Sequence, residues 1–153
     1  MSGQGSTADD TIRPGEAAAP LPSGFDASLY FIGRIRTPWA TRRECPRQGD
    51  PAEGPICTLE LDPRWMPALA GLGEQAQVLY WMNEARRDLV LQVPRDGAPT
   101  GTFALRSPVR PNPIAVSLVR VVAVEGPRVL VRGLDCRDGT PLLDIKGPPR
   151  AGP

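Results

Sequence analysis

The sequence predicts an all-β protein, a compact β-barrel of about six or seven short strands with one short helix. Three observations point there. Short apolar runs rich in β-branched residues recur at regular spacing, each bounded by Gly, Pro, Asn or Asp. Only one segment carries a helix start. No strand–helix alternation and no glycine-rich strand-to-helix turn is present, which argues against a Rossmann-type nucleotide site. The 153 residues suit one domain with a core that needs no staples.

Residues 1–27 are mostly Ser, Gly, Thr, Asp, Ala and Pro, too polar to bury, and are expected to be a disordered leader. The barrel domain is expected over 28–147, with a flexible tail over 148–153. Its first strand is Leu29–Arg36, stopped by Thr37-Pro38, and a long Arg/Pro/Gly loop follows through Pro55. Ile56–Leu61 alternates apolar and polar, as a half-buried strand does. Asp62 then caps the helix with Pro63 at its first position; Trp65, Met66, Leu69 and Leu72 line it, and Gly73 closes it. Gln77–Met82 and Asp88–Val93 are two further strands. Ile114–Val124 is the longest apolar, β-branched run and is expected to be buried. Glu125-Gly-Pro turns it back into Arg128–Arg132, and Leu142–Ile145 closes the set.

Composition excludes several chemistries. The net charge of +1 gives no global field for nucleic acid or membrane. There is no histidine, so His-based triads, His–metal sites and His general bases are ruled out. Cys45, Cys57 and Cys136 stand far apart with no metal-ligand spacing, which points to reduced thiols, no metal and a cytoplasmic location. No apolar segment reaches membrane-spanning length. Of the 18 basic residues all but Lys146 are arginine, the side chain that grips carboxylates and phosphates with a planar fork.

The segment Arg106-Ser-Pro-Val-Arg-Pro-Asn-Pro-Ile114 carries the strongest functional signal. Pro108, Pro111 and Pro113 fix their own φ and hold Ser107, Arg110 and Asn112 extended. The result is a stiff loop with two guanidinium forks and one carboxamide, leading into the long apolar strand. The plain alternative is a proline-stiffened turn with solvated arginines. A second marked segment, Asp135-x-x-Asp-Gly-Thr-Pro-Leu-x-Asp-Ile-Lys146, changes the balance. Read alone, Asp135, Asp138 and Asp144 would be turn and cap residues.

Together the two segments closely resemble the TsaA-like family, also called YaeB-like or TrmO-like. Ile32-Gly-Arg-Ile-Arg-Thr-Pro38, Pro46-Arg-Gln and Leu79-Tyr-Trp extend the resemblance to about residues 29–146. It implies a dimeric β-barrel methyltransferase that uses S-adenosylmethionine. The implied substrate is tRNA, at the exocyclic amine of threonylcarbamoyladenosine beside the anticodon. By motif, the cofactor pocket falls on Arg47, Gln48, Arg106, Arg110, Pro111, Asn112, Pro113, Ile114, Val116, Leu134, Asp135 and Asp138. Three departures stand out. Leu79 occupies the place where the family usually carries histidine, after Lys146 the chain runs Gly147-Pro-Pro-Arg where members continue with Pro-Tyr, and the extra C-terminal domain that tRNA-modifying members often carry is not expected here.

Residue chemistry agrees with the resemblance. Arg106 or Arg47 can fork onto the cofactor carboxylate. Asp135 or Asp138 can accept from ribose hydroxyls or the amino group. Asn112 can pair with an adenine edge, of cofactor or of substrate. In a catalytic role, Asn112 or a loop carbonyl would accept the target N–H and localise its lone pair. Three alternatives remain: a paralogue methylating another substrate, and, from other classes, a purely structural dimer module and a non-catalytic RNA- or nucleotide-binding barrel. The last would stack bases on Tyr80, Trp81 and Trp39 and contact phosphate through Arg86-Arg87, although core packing suits Tyr80 and Trp81 better.

Overall fold

The computed structural model describes residues 11–150. In chain order the strands are β1 (Ala17–Ala18), β2 (Gly33–Arg36), β3 (Cys57–Leu61), β4 (Gln75–Trp81), β5 (Leu89–Gln92), β6 (Thr100–Gly101), β7 (Ile114–Glu125), β8 (Arg128–Arg132) and β9 (Thr140–Lys146). They form two compact units, one of residues 27–82 and 114–150, the other of residues 11–26 and 83–113.

The larger unit is the expected barrel. Six antiparallel strands close in the order β2-β3-β8-β7-β4-β9, with β9 pairing back to β2. Closure gives every strand a hydrogen-bonded neighbour on each side, although β7 pairs with β4 over its first half and with β8 over its second. Alternate residues point inward: Ile35, Leu59, Val78, Val119, Val129, Val131 and Leu142 are fully or almost fully buried. The hairpin β7–β8 turns at Gly126, whose φ of +60° a side chain would resist.

Several elements differ from expectation. Order in the first strand begins at Gly33, and Leu29, Tyr30 and Phe31 are exposed. The helix is a 3-10 helix over Pro63–Leu69. Asp62 caps it as expected, accepting from the Arg64 amide at 3.0 Å, but Pro67 inside it removes a donor and prevents α-helical bonding. Its chain reverses at Gly71 (φ +82°), not at Gly73. Two further 3-10 turns occupy Arg42–Glu44 and Thr102–Ala104.

β7 is the main correction. Its run of apolar residues is not buried on both faces. Ile114, Val116, Leu118, Val122 and Val124 lie on the outer side, at 36–49% exposure, while Val119 faces the core. A barrel wall has two faces, and composition alone does not say which apolar face the fold covers.

The smaller unit is a three-stranded sheet, β1-β5-β6, that the sequence reading placed partly in the barrel and partly in disorder. β5 pairs with Ala17–Ala18, so the part of the expected leader within the described residues is ordered by sheet pairing rather than by burial. Residues 1–10 of that leader lie outside the described residues, as do 151–153 of the expected tail. Around β1, Arg13 donates to Val93 O at 3.3 Å, and the Ala19 amide to Asp88 O at 2.8 Å.

Candidate functional site

The sequence-derived residues fall into two groups, one in each unit. In the smaller unit the proline loop is held at nearly every turn. Gln92, buried on β5, donates through Nε2 to Val109 O at 2.7 Å and to Thr102 Oγ1 at 2.9 Å. Thr102 Oγ1 in turn donates to Leu89 O at 2.7 Å. A buried amide and hydroxyl in this position are costly unless paired, and each is paired with the loop or its sheet.

Arg110 is turned onto the loop that contains it. Nη1 donates to Leu105 O at 3.1 Å and Ser107 O at 2.9 Å, and Nη2 lies 3.5 Å from Thr102 O. Of the two expected forks, this one braces main-chain carbonyls; Arg106 is exposed. Pro113 is buried, Pro111 is half-buried and Asn112 is exposed at the tip. Arg87 reaches the same tip. Its Nε donates to Pro111 O at 2.6 Å and its Nη2 to Asn112 Oδ1 at 3.2 Å. The phosphate-contact role considered for Arg86 and Arg87 finds little support. Arg86 pairs with Asp88 at 2.5 Å and Arg87 clamps the loop.

In the barrel unit, Arg47, Gln48, Leu134 and Asp135 come together because two glycines touch. A Cβ on Gly49 would lie 1.8 Å from Gly133 O, so only a bare backbone permits this approach. Gly133 itself adopts φ +117°. The exposed pair Arg47-Gln48 therefore lies next to the β8–β9 connection. Leu134 there is a core residue at 2% exposure, and Asp135 is half-buried.

Asp135 is held by a hydroxyl relay. Tyr80 donates to Asp135 Oδ1 at 2.7 Å and lies 2.8 Å from Ser117 Oγ. A phenol has one proton, so with that proton on Asp135 the serine must donate to Tyr80. Burial, reinforced by the Asp135 charge, pushes the Tyr80 pKa well up, which keeps it a neutral donor. Nearby Cys45 is half-buried. Its thiol is raised first by desolvation and then by the charges of Asp135 and Glu44, so it is no thiolate nucleophile. Burial likewise pushes Cys57 up to about 11 and Cys136 to about 12.

Asp138 does what a turn aspartate does. Its Oδ1 accepts from the Thr37 amide at 3.1 Å, Oδ2 lies 3.8 Å from Arg36 Nη1, and its own amide donates to Trp39 O at 2.7 Å. Ile114 and Val116 sit on the outer face of β7. Tyr80, at 3% exposure, is unavailable as a stacking platform, and Trp39 packs against the core.

Sequence reading missed Gln92, Thr102 and Ser117, and named Arg87 only as a phosphate contact. Nothing local marks them, since each acts on a partner 10 to 37 residues away. Among the described residues no cluster of His, Cys, Asp or Glu could hold a metal ion, and no helix is long and apolar enough to cross a membrane.

A probable S-adenosyl-L-methionine-binding protein VirR of Rhizobium radiobacter is 53% identical over 138 residues, covering 88% of this chain and 78% of that protein. The crystal structure of TrmO from Pseudomonas aeruginosa superposes with a TM-score of 0.65 at 36% identity, over 80% of this chain. This chain spans 56% of that structure's length, little more than half. A mouse tRNA (adenine(37)-N6)-methyltransferase is 53% identical over 57 residues, 37% of this chain and 13% of that protein. The family model of the tRNA-methyltransferase O N-terminal domain matches residues 34–148, and the chain belongs to that family.

Proposed function

We propose that this chain is an S-adenosylmethionine-dependent methyltransferase acting on the N6 amine of threonylcarbamoyl-modified adenosine beside the anticodon of tRNA. Family membership supports the reaction class, the VirR-like relative supports the cofactor, and the mouse relative supports the tRNA adenine as substrate over the part that matches.

The residues present fit the cofactor. It carries a carboxylate, an ammonium group, ribose hydroxyls and an adenine, and the chain offers guanidinium, carboxylate and carboxamide groups to match. When bound, it supplies a methyl group activated on a sulfonium. The exposed Arg106 in the smaller unit and the exposed Arg47 in the barrel each present a fork that can take a carboxylate. Asp135, steadied by Tyr80, accepts from hydroxyl or ammonium donors. Pro111 and Pro113 keep Asn112 in place to meet an adenine edge, with Arg110 bracing the loop. Preorganisation of this kind lowers a transfer barrier by positioning, which asks for no strong base. The enzyme is cytoplasmic and works as a homodimer, its exposed β7 face supplying the subunit contact.

The observation that carries the reading is the proline loop. Side chains from three directions fix its backbone, yet its tip leaves Asn112 exposed, as a loop built for ligand does. The test is thermal unfolding with S-adenosylmethionine and S-adenosylhomocysteine, followed by methyl incorporation into bulk tRNA with nucleoside mass spectrometry. Ligand at about 100-fold over Kd stabilises by about 2.7 kcal/mol. No shift at millimolar ligand overturns the cofactor claim. A shift without methylated adenosine overturns the substrate.

A further inference from the structure

We infer that Arg87 is a positioning residue that sets the polarity of Asn112, so that the loop tip recognises a hydrogen-bond acceptor such as a ring nitrogen of adenine. The inference rests on the methyltransferase reading and specifies what that site grips.

The argument starts from what a guanidinium can do. It has five N–H donors and no acceptor, so the Asn112 atom that faces it must be the side-chain oxygen. The contact measures 3.2 Å from Nη2, while Nε holds the neighbouring Pro111 carbonyl at 2.6 Å. Two donors of one rigid plane therefore grip two oxygens of adjacent residues, a grip that a single ammonium cannot reproduce. Arg87 is itself steadied over the Phe25 ring, 5.1 Å from its centroid. The nearby Asp88 is paired with Arg86 instead.

The effect on Asn112 follows from its covalent structure. A carboxamide has an acceptor end and a donor end in one plane. With the oxygen turned to Arg87, the N–H pair is the end presented outward from an exposed residue. Prolines on both sides hold the backbone, so the side chain cannot recover the other orientation by moving the loop. An N–H pair complements ring nitrogens and carbonyl oxygens, not the N–H of an exocyclic amine. Asn112 thus donates to an acceptor atom on an adenine edge, and the task of accepting from the target amine falls elsewhere.

Three variants test this, with S-adenosylhomocysteine affinity by calorimetry and methyl transfer to bulk tRNA read in parallel. Asn112→Asp keeps an oxygen for Arg87 and even adds charge attraction, but it has no N–H. The inference expects it to lose at least about tenfold in affinity or in transfer, as badly as Asn112→Ala, one lost hydrogen bond to a polar site being worth about that factor. Loss of affinity assigns the acceptor to the cofactor adenine, and loss of transfer alone assigns it to the substrate adenosine. Asn112→Asp within roughly twofold of wild type overturns the inference. Arg87→Met should cost about tenfold in the wild-type background and less than roughly threefold in Asn112→Ala, because it acts through Asn112. Equal losses in both backgrounds overturn the positioning role. If Arg87→Met fails to fold, Arg87→Lys, which keeps a charge over Phe25 but not the two-point grip, makes the same comparison. Wild type without affinity for S-adenosylhomocysteine would overturn the underlying methyltransferase reading as well, and so separates the two failures.

Discussion

Tyr80 donates to Asp135 from a ring that is only 3% exposed, so its hydroxyl both satisfies a carboxylate and avoids being buried unpaired. Tyr80→Phe leaves Asp135 facing an apolar edge. It should lower stability by about 1–3 kcal/mol and weaken S-adenosylhomocysteine binding about tenfold. Denaturant unfolding and calorimetry measure the two, and an unchanged affinity would remove the relay from the site. The same residue predicts an alkaline limit. Tyr80, Cys57 and Cys136 all have pKa values raised by burial, so the folded chain keeps protons that the unfolded chain releases. Stability is therefore full below the ordinary thiol value of 9.0 and falls as pH rises through it towards about 11–12. Unfolding midpoints at pH 8 and pH 11 should differ, with the higher midpoint at pH 8. Arg106→Lys belongs to this scale too. It keeps the charge and loses the fork, so cofactor affinity should drop about tenfold in calorimetry if carboxylate binding is bidentate.

Among the elements, the loop before β3 depends on one bare backbone contact. Gly49→Ala places a methyl group 1.8 Å from Gly133 O, and neither partner is a flexible side chain that can swing away. The loop carrying Arg47 and Gln48 must move. The expected outcome is about 1–3 kcal/mol of lost stability with weakened ligand binding, while strand content by circular dichroism is retained. Wild-type stability in Gly49→Ala would show that the two segments do not need this approach. The proline loop is a contrasting case. Its stiffness was evident in the sequence from three prolines, but the direction of the Arg110 fork was not. That fork satisfies carbonyls of Thr102, Leu105 and Ser107, a choice made by the folded loop path rather than by residue type.

For the whole molecule, the outer face of β7 is the feature that a monomer explains least. Ile114, Val116 and Leu118, then Val122 and Val124 beyond the exposed Arg120, remain at 36–49% exposure along one strand. Exposed apolar stripes of this length mark association surfaces. Leu118→Arg adds a second charge beside Arg120 and breaks the apolar Ile114–Leu118 half of the stripe without touching the core, since Val119 is the inward neighbour. Sedimentation should find a dimer for the wild type and a monomer for Leu118→Arg, with similar unfolding behaviour at low concentration. A wild-type monomer at micromolar concentration would rule out β7 as a subunit contact.

Much of the fold was legible because its causes are local. β-branched runs, the Asp62-Pro63 cap, the Glu125-Gly126-Pro127 turn and the Asp138-Gly139 turn act through φ preferences and period-two alternation within a few residues. The two motif segments and the family to which they belong were readable for the same reason. Tertiary structure alone decided the rest. Pairing of β5 with Ala17–Ala18 took an apolar strand out of the barrel and gave order to part of a polar leader. Closure of six strands chose which face of β7 the core would cover. Contacts across 25 residues put Arg87 on Asn112, and contacts across 55 put Tyr80 on Asp135. A side chain's chemistry lists the partners it can accept, but the long-range path of the chain selects which one it meets.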